Sequence, residues 1–117
     1  MSVDSRLVPT VRRIVDWLVA GDYDRAASFC NNVRQSRSLI RAAIESYGRK
    51  LITPPAHLYE SLDVIEVVGA IPRRWSVRLD LWTAEDGRSD LTLELTLVDK
   101  DAQQKFLGAE IDNIHTL

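Results

Sequence analysis

The stretch WSVRLDLWTAEDGRSDLTLELTL (Trp75–Leu97) decides the fold. On its first arm Trp75, Val77, Leu79 and Leu81 alternate with Ser76, Arg78 and Asp80. On its second arm Leu91, Leu93, Leu95 and Leu97 alternate with Thr92, Glu94 and Thr96. A period of two puts one apolar face and one polar face on each arm, the pattern of half-buried antiparallel strands. TAEDGRSD between the arms is rich in turn formers, so the two arms should close as a hairpin.

Outward from this hairpin, Val64–Val68 is β-branched and reads as a further strand. A turn at DKDAQQK leads to a last strand near Phe106–His115. Its alternation breaks at Asp112–Asn113, where Ile111 and Ile114 stand three apart, and a bulge is expected there.

Upstream the period changes. Leu7, Val11, Ile14, Val15 and Leu18 form one helical stripe, with Ser5 as its cap, Pro9 in its first turn and Gly21 at its end. Asp22 can cap a short second helix over DYDRAASFC, with Tyr23, Ala26, Ala27 and Cys30 inward. Asn31–Asn32 reads as a break. Ser36 or Ser38 can start a third helix with Leu39, Ala42, Ala43 and Tyr47 inward and Gly48 as its stop. Pro54-Pro55 then forbids further helix.

Helices followed by a run of strands indicate one α+β domain over 1–117, with about three helices packed on an antiparallel sheet of about four strands. A cystatin-like or NTF2-like arrangement is one candidate.

Composition narrows the function classes. Of the 117 residues 45% are hydrophobic and 27% charged, ordinary for a folded domain. No stretch approaches the roughly 20 apolar residues of a membrane span, and MSVDSRLVPTVRR lacks the form of a secretory signal. The lone Cys30 excludes an internal disulfide framework and suits a reducing compartment, so a cytoplasmic protein is expected. Net charge is −2, divided as +4 over residues 1–50 and −6 over 51–117. Arg73-Arg74 without a basic-aromatic stripe makes a poor nucleic-acid signal.

If the last three strands neighbour one another in order, residues distant in sequence meet at one end of the sheet. Trp82, Glu85, Asp86, Arg88, Asp90, Asp112 and His115 would gather there. One reading is structural: Arg88 pairs with Asp90 or Asp112 and Asp86-Gly87 makes the turn. A second is a protein-binding patch, in which Trp82 anchors and the acids steer a basic partner. A third is a base or metal site of Asp90, Asp112 and His115, but no nucleophile, ligand spacing or phosphate loop accompanies it. No cofactor is expected. His57 reads as an exposed loop histidine, Trp17, Trp75 and Cys30 as core.

Leu81–Thr96 followed by IDNIHTL (Ile111–Leu117) resembles a family of small bacterial domains of unknown function. In that family a similar W-T-x-E-x-G-R-S-D-L-T-L-E stretch precedes a closing D-[IL]-H-x-L. The helical half shares the layout, including Tyr47-Gly48 and then Pro54-Pro55. The resemblance implies a bacterial origin and a compact stand-alone domain, with no established activity. Small acidic bacterial proteins of this shape are often immunity or accessory partners of toxins. Asn113 stands where the family pattern prefers an acid, which weakens a metal site.

Two functions follow as expectations. One is a non-catalytic binding protein, of the immunity or accessory type, with a protein partner that is basic on charge grounds. The other is an NTF2-like small-molecule domain or small enzyme, with a cavity between helices and sheet and an Asp/His rim. An open sheet edge would also allow a homodimer.

Overall fold

The computed structural model describes residues 4–30 and 37–116. Three helices come first: α1 (Leu7–Ala20), α2 (Tyr23–Cys30) and α3 (Arg37–Tyr47). The short β1 (Leu51–Ile52) and a 3-10 turn (Ala56–Glu60) lead to β2 (Asp63–Glu66), β3 (Arg74–Thr83), β4 (Gly87–Val98) and β5 (Gly108–Thr116). The class is α+β, and the antiparallel sheet has five strands rather than four. β1 is the addition, too short to show a period.

β3, β4 and β5 neighbour one another in sequence order. The opposite edge of β3 is shared: Leu51 and Ile52 pair with Thr83 and Trp82, while β2 pairs with Trp75–Arg78. Leu79–Leu81 therefore have no strand partner on that side. The 53–62 segment arches past this gap.

The apolar face of the sheet meets the helices. Trp75, Val77, Leu93, Leu95, Leu97 and Ile111 are fully buried, beneath Val11, Ile14, Val15, Ala26 and Ile40. The space between helices and sheet is thus occupied by side chains. Deleting one of these, as in Leu93→Ala, should cost about 2–5 kcal/mol.

Local signals place the helix ends. Gly21 adopts φ +77° and closes α1, and Gly48 at φ +75° follows α3. The Arg25 N–H reaches the Asp22 carboxylate at 3.3 Å, so Asp22 caps α2 as expected. Ser5 does not cap α1. Arg6 holds the N-cap position with no side-chain cap, and Asp4 before it accepts the Arg6 N–H at 2.9 Å and holds the Arg6 guanidinium.

The inner stripe of α3 is displaced by one residue from the expected one. Ile40 and Ile44 are buried with Ala43 and Tyr47 beside them, while Leu39 is exposed. The stripe Ile40–Ala43–Ile44–Tyr47 buries two large side chains, against one for the Leu39 stripe. The break at Asn31–Asn32 and the start at Ser36 lie outside the described residues, and Ser38 lies within α3.

Trp17 is half-buried at the rim of the core, edge-on to Phe29 at 5.3 Å. The register of β4 and β5 shifts between Glu94 and Leu95, with Asp112 as the extra residue, so the expected bulge is present. No helix among the described residues is long and apolar enough to cross a membrane.

Candidate functional site

The helix-free face of the sheet is built from the polar members of each alternation. Across β3, β4 and β5 they form rows: Arg78, Glu94 and Asn113 in one, Asp80, Thr92 and His115 in the next. Trp82 and Arg88 stand beyond them toward the hairpin turn.

These side chains are tied to one another. Arg88 Nε donates to Asp80 Oδ2 at 2.7 Å. Thr92 Oγ1 donates to the other Asp80 oxygen at 3.3 Å. Glu94 takes Arg78 on Oε1 and His115 Nε2 on Oε2 at 3.1 Å. The Arg78 hydrogen bond, helped by the charges of Arg78 and His115, holds the Glu94 carboxyl below its ordinary range.

The seven residues expected at one end of the sheet divide into groups. Trp82 and Arg88 stand opposite one another, with His115 one row inward on the same face. Glu85 and Asp86 turn toward the segment after α3. Glu85 accepts the Lys50 N–H at 3.2 Å, and Asp86 lies 3.6 Å from Arg49 Nε. Asp90 sits where its own N–H meets Tyr47 Oη at 3.3 Å. Asp112 lies further along the sheet, where it accepts the Thr96 hydroxyl at 2.6 Å. The bulge moves Asp112 off the row that holds His115. Arg88 pairs with Asp80, not with Asp90 or Asp112.

The GRSD segment acquires a structural account residue by residue. Gly87 turns the chain at φ +70° and lies under the Trp82 ring, which a Cβ there would meet at 3.6 Å. Ser89 splices an irregular register between β3 and β4: its hydroxyl donates to Leu81 C=O at 2.6 Å and accepts the Leu91 N–H at 3.1 Å. Asp90 joins the strand to Tyr47, the tyrosine of the Tyr47-Gly48 pair.

Beside these residues lies a groove of about 520 Å³. The 53–62 segment forms one wall through His57, Leu58, Ser61 and Leu62. Arg78, Asp80, Trp82 and Arg88 form the other. His57 stands edge-on to Trp82 with ring centres 6.3 Å apart. The indole N–H of Trp82 is buried without an acceptor among the described residues.

The sequence places His57 in an exposed loop, where it is, and gives Asp80 only as a polar member of the β3 alternation; neither is expected in a groove. Their meeting depends on β1 and β2 sharing one edge of β3, which no local pattern reveals. Pro54-Pro55 marks the end of the helical half and nothing about the path of the loop that follows.

Arg88 is 73% exposed and uses one of its five N–H donors on Asp80. Arg78 is half exposed beside it. The groove therefore offers hydrogen-bond donors with fixed positive charge next to an aromatic wall. No group of three or more His, Cys, Asp or Glu able to hold a metal occurs among the described residues. Cys30 is buried, and desolvation pushes its thiol up to about 12, so it stays protonated at neutral pH.

The fold and groove define a small α+β domain that keeps its core on one sheet face and a polar, aromatic-walled recess on the other. The chain belongs to the family described as a domain of unknown function (DUF7668), whose model matches residues 15–117. No curated protein and no solved structure matches it.

Proposed function

We propose that this chain is a non-catalytic binding domain and that the groove beside Trp82 receives a segment of a protein partner. One observation carries the reading: the exposed Arg88, anchored by Asp80, stands opposite Trp82 at the mouth of the groove. Arginine and tryptophan are the residue types that most often dominate binding energy at protein interfaces. The segment would present a carboxylate to Arg88 and Arg78 and an apolar side chain to Trp82 and Leu58.

This changes the charge expected of the partner. The acidic-turn reading relied on Glu85, Asp86 and Asp90 attracting a basic protein. Glu85 already accepts the Lys50 backbone N–H and Asp86 faces Arg49, whereas Arg88 and Arg78, each paired with one carboxylate, keep spare N–H donors at the groove. An immunity-type role, in which the partner is a toxin, is one form of this reading. A toxin or nuclease reading frame directly upstream in the genome would supply the candidate.

Capture from the source cells with wild type, Arg88→Glu and a Glu85→Lys/Asp90→Lys variant tests the site. A stoichiometric protein should be retained by wild type and by the turn variant and lost with Arg88→Glu. Loss through the turn variant alone would return the site to the acidic turn. Absence of any stoichiometric protein would overturn the binding role.

A small-molecule reading has one observation in its favour. About 520 Å³ lies within the roughly 300–1,000 Å³ of ligand pockets. Saturable chemical-shift changes at Trp82 with a carboxylate-bearing small molecule, and no protein captured, would favour it.

A further inference from the structure

We infer that a second copy of this chain pairs with β2, edge to edge, joining the two sheets into one. Edge strands are normally blunted by lysine, proline, a bulge or shortness. β5 carries the Asp112 bulge and the acids Glu110 and Asp112, and β1 has only two residues. β2 carries the acids Asp63 and Glu66 but has no lysine, proline or bulge, and its pairing with β3 extends to Val67 before the chain turns at Val68-Gly69. Ile65 is 63% exposed on β2, and Val68 and Ile71 in the turn that follows are 97% and 94% exposed.

The backbone of β2 fixes the register. The Val67 N–H donates to Arg74 C=O, so residues 63, 65 and 67 turn their amides toward β3. By alternation Val64 and Glu66 turn theirs to the open edge. A two-fold axis at Ile65 places Val64 opposite the partner's Glu66 and Glu66 opposite the partner's Val64. Each pair exchanges two hydrogen bonds, which satisfies the outward N–H and C=O of both residues on each strand. Ile65 then meets the partner's Ile65 in the close, non-hydrogen-bonded position.

Charge favours this same pairing. Arg74 has no ion-pair partner among the described residues, and Asp63, across the ladder from Arg78 and within its field, makes no ion pair as close as 4 Å. On the helix-free face Arg74 stands opposite Val67, and the two-fold places the partner's Asp63 on the far side of Val67. An arginine side chain leaning over Val67 reaches it, and symmetry makes the contact twice. The backbone of any antiparallel strand could satisfy these hydrogen bonds, but a foreign strand would not supply the reciprocal charges. The occupant argued here is therefore a second copy.

Sedimentation of the full chain over a concentration series tests the inference. Wild type should approach twice the 13.2 kDa of the chain as concentration rises. Ile65→Lys sets two like charges face to face at the axis and touches no core residue, so it should return the mass to that of one chain with circular dichroism unchanged. Ile65→Cys should form an intermolecular disulfide on mild oxidation, while Val68→Cys should not, because only residue 65 faces its own copy. A chain that stays monomeric to near-millimolar concentration, or a dimer that Ile65→Lys leaves intact, overturns it. Arg88→Glu should leave the mass unchanged, so failure of the groove reading and failure of this one are distinguishable.

Discussion

Single side chains decide how much of the polar surface is free to act. Ser89 occupies a place where two strands lose register, and its hydroxyl serves the Leu81 carbonyl and the Leu91 amide together. Ser89→Ala would leave both groups buried and unmatched, so urea unfolding should show a loss of about 1–3 kcal/mol. A loss below about 0.5 kcal/mol would mean that water replaces the hydroxyl. Cys30 gives a second expectation at this scale. With its thiol buried and pushed up to about 12, it should not react with a disulfide reagent in the native protein at pH 8 and should react at once in denaturant. Fast native labelling would show that α2 opens locally.

At the scale of elements, the alternations and stripes made most of the fold legible. Trp75–Leu81 and Leu91–Leu97 buried the predicted faces, and the helical spacing of Leu7–Leu18 placed α1 against them. What stayed hidden depends on pairing rather than pattern. β1 contributes two residues to an edge it shares with β2, and the groove exists only because of the gap between them. His57 could therefore not be read as a wall of anything. Asp112 went the other way: its bulge was legible, but the displacement it causes carried Asp112 away from His115. The EDGRSD turn reads as the working end in the sequence, but two of its acids, Glu85 and Asp86, meet the segment after α3, and Asp90 donates its N–H to Tyr47 of α3. Gly87 holds this turn at φ +70°, with space for a Cβ against the Trp82 ring. Gly87→Ala should thus destabilise by about 1–2 kcal/mol through backbone strain alone. Gly87→Asn should cost less, since asparagine tolerates that conformation, and equal losses for both would point to the ring contact instead.

Over the whole molecule, the helical layer must be held on the sheet by more than apolar contact, and the ties sit where α1 begins. The Thr10 hydroxyl donates to Arg6 C=O and accepts the Leu107 N–H, which joins α1 to the segment before β5. Arg6 binds Asp4, Asp99 and the Asp101 carbonyl together. Its hydrogen bond lowers the Asp4 carboxyl from an ordinary 3.8 to about 2. Glu66 beside Arg73 and Glu94 beside Arg78 are shifted in the same direction. A carboxyl that is more acidic folded than unfolded adds stability that is complete above its unfolded value, about pH 4, and is lost as pH falls through its folded value. Stability should therefore decline between pH 4 and 2. Arg6→Met removes the Asp4 shift, so the variant should be less stable than wild type at pH 6. Below pH 4 its stability should fall less steeply, and the gap in urea midpoint should narrow toward pH 2. A gap that stays constant across that range would assign the role of Arg6 to its neutral hydrogen bond to the Asp101 carbonyl rather than to its carboxylate partners.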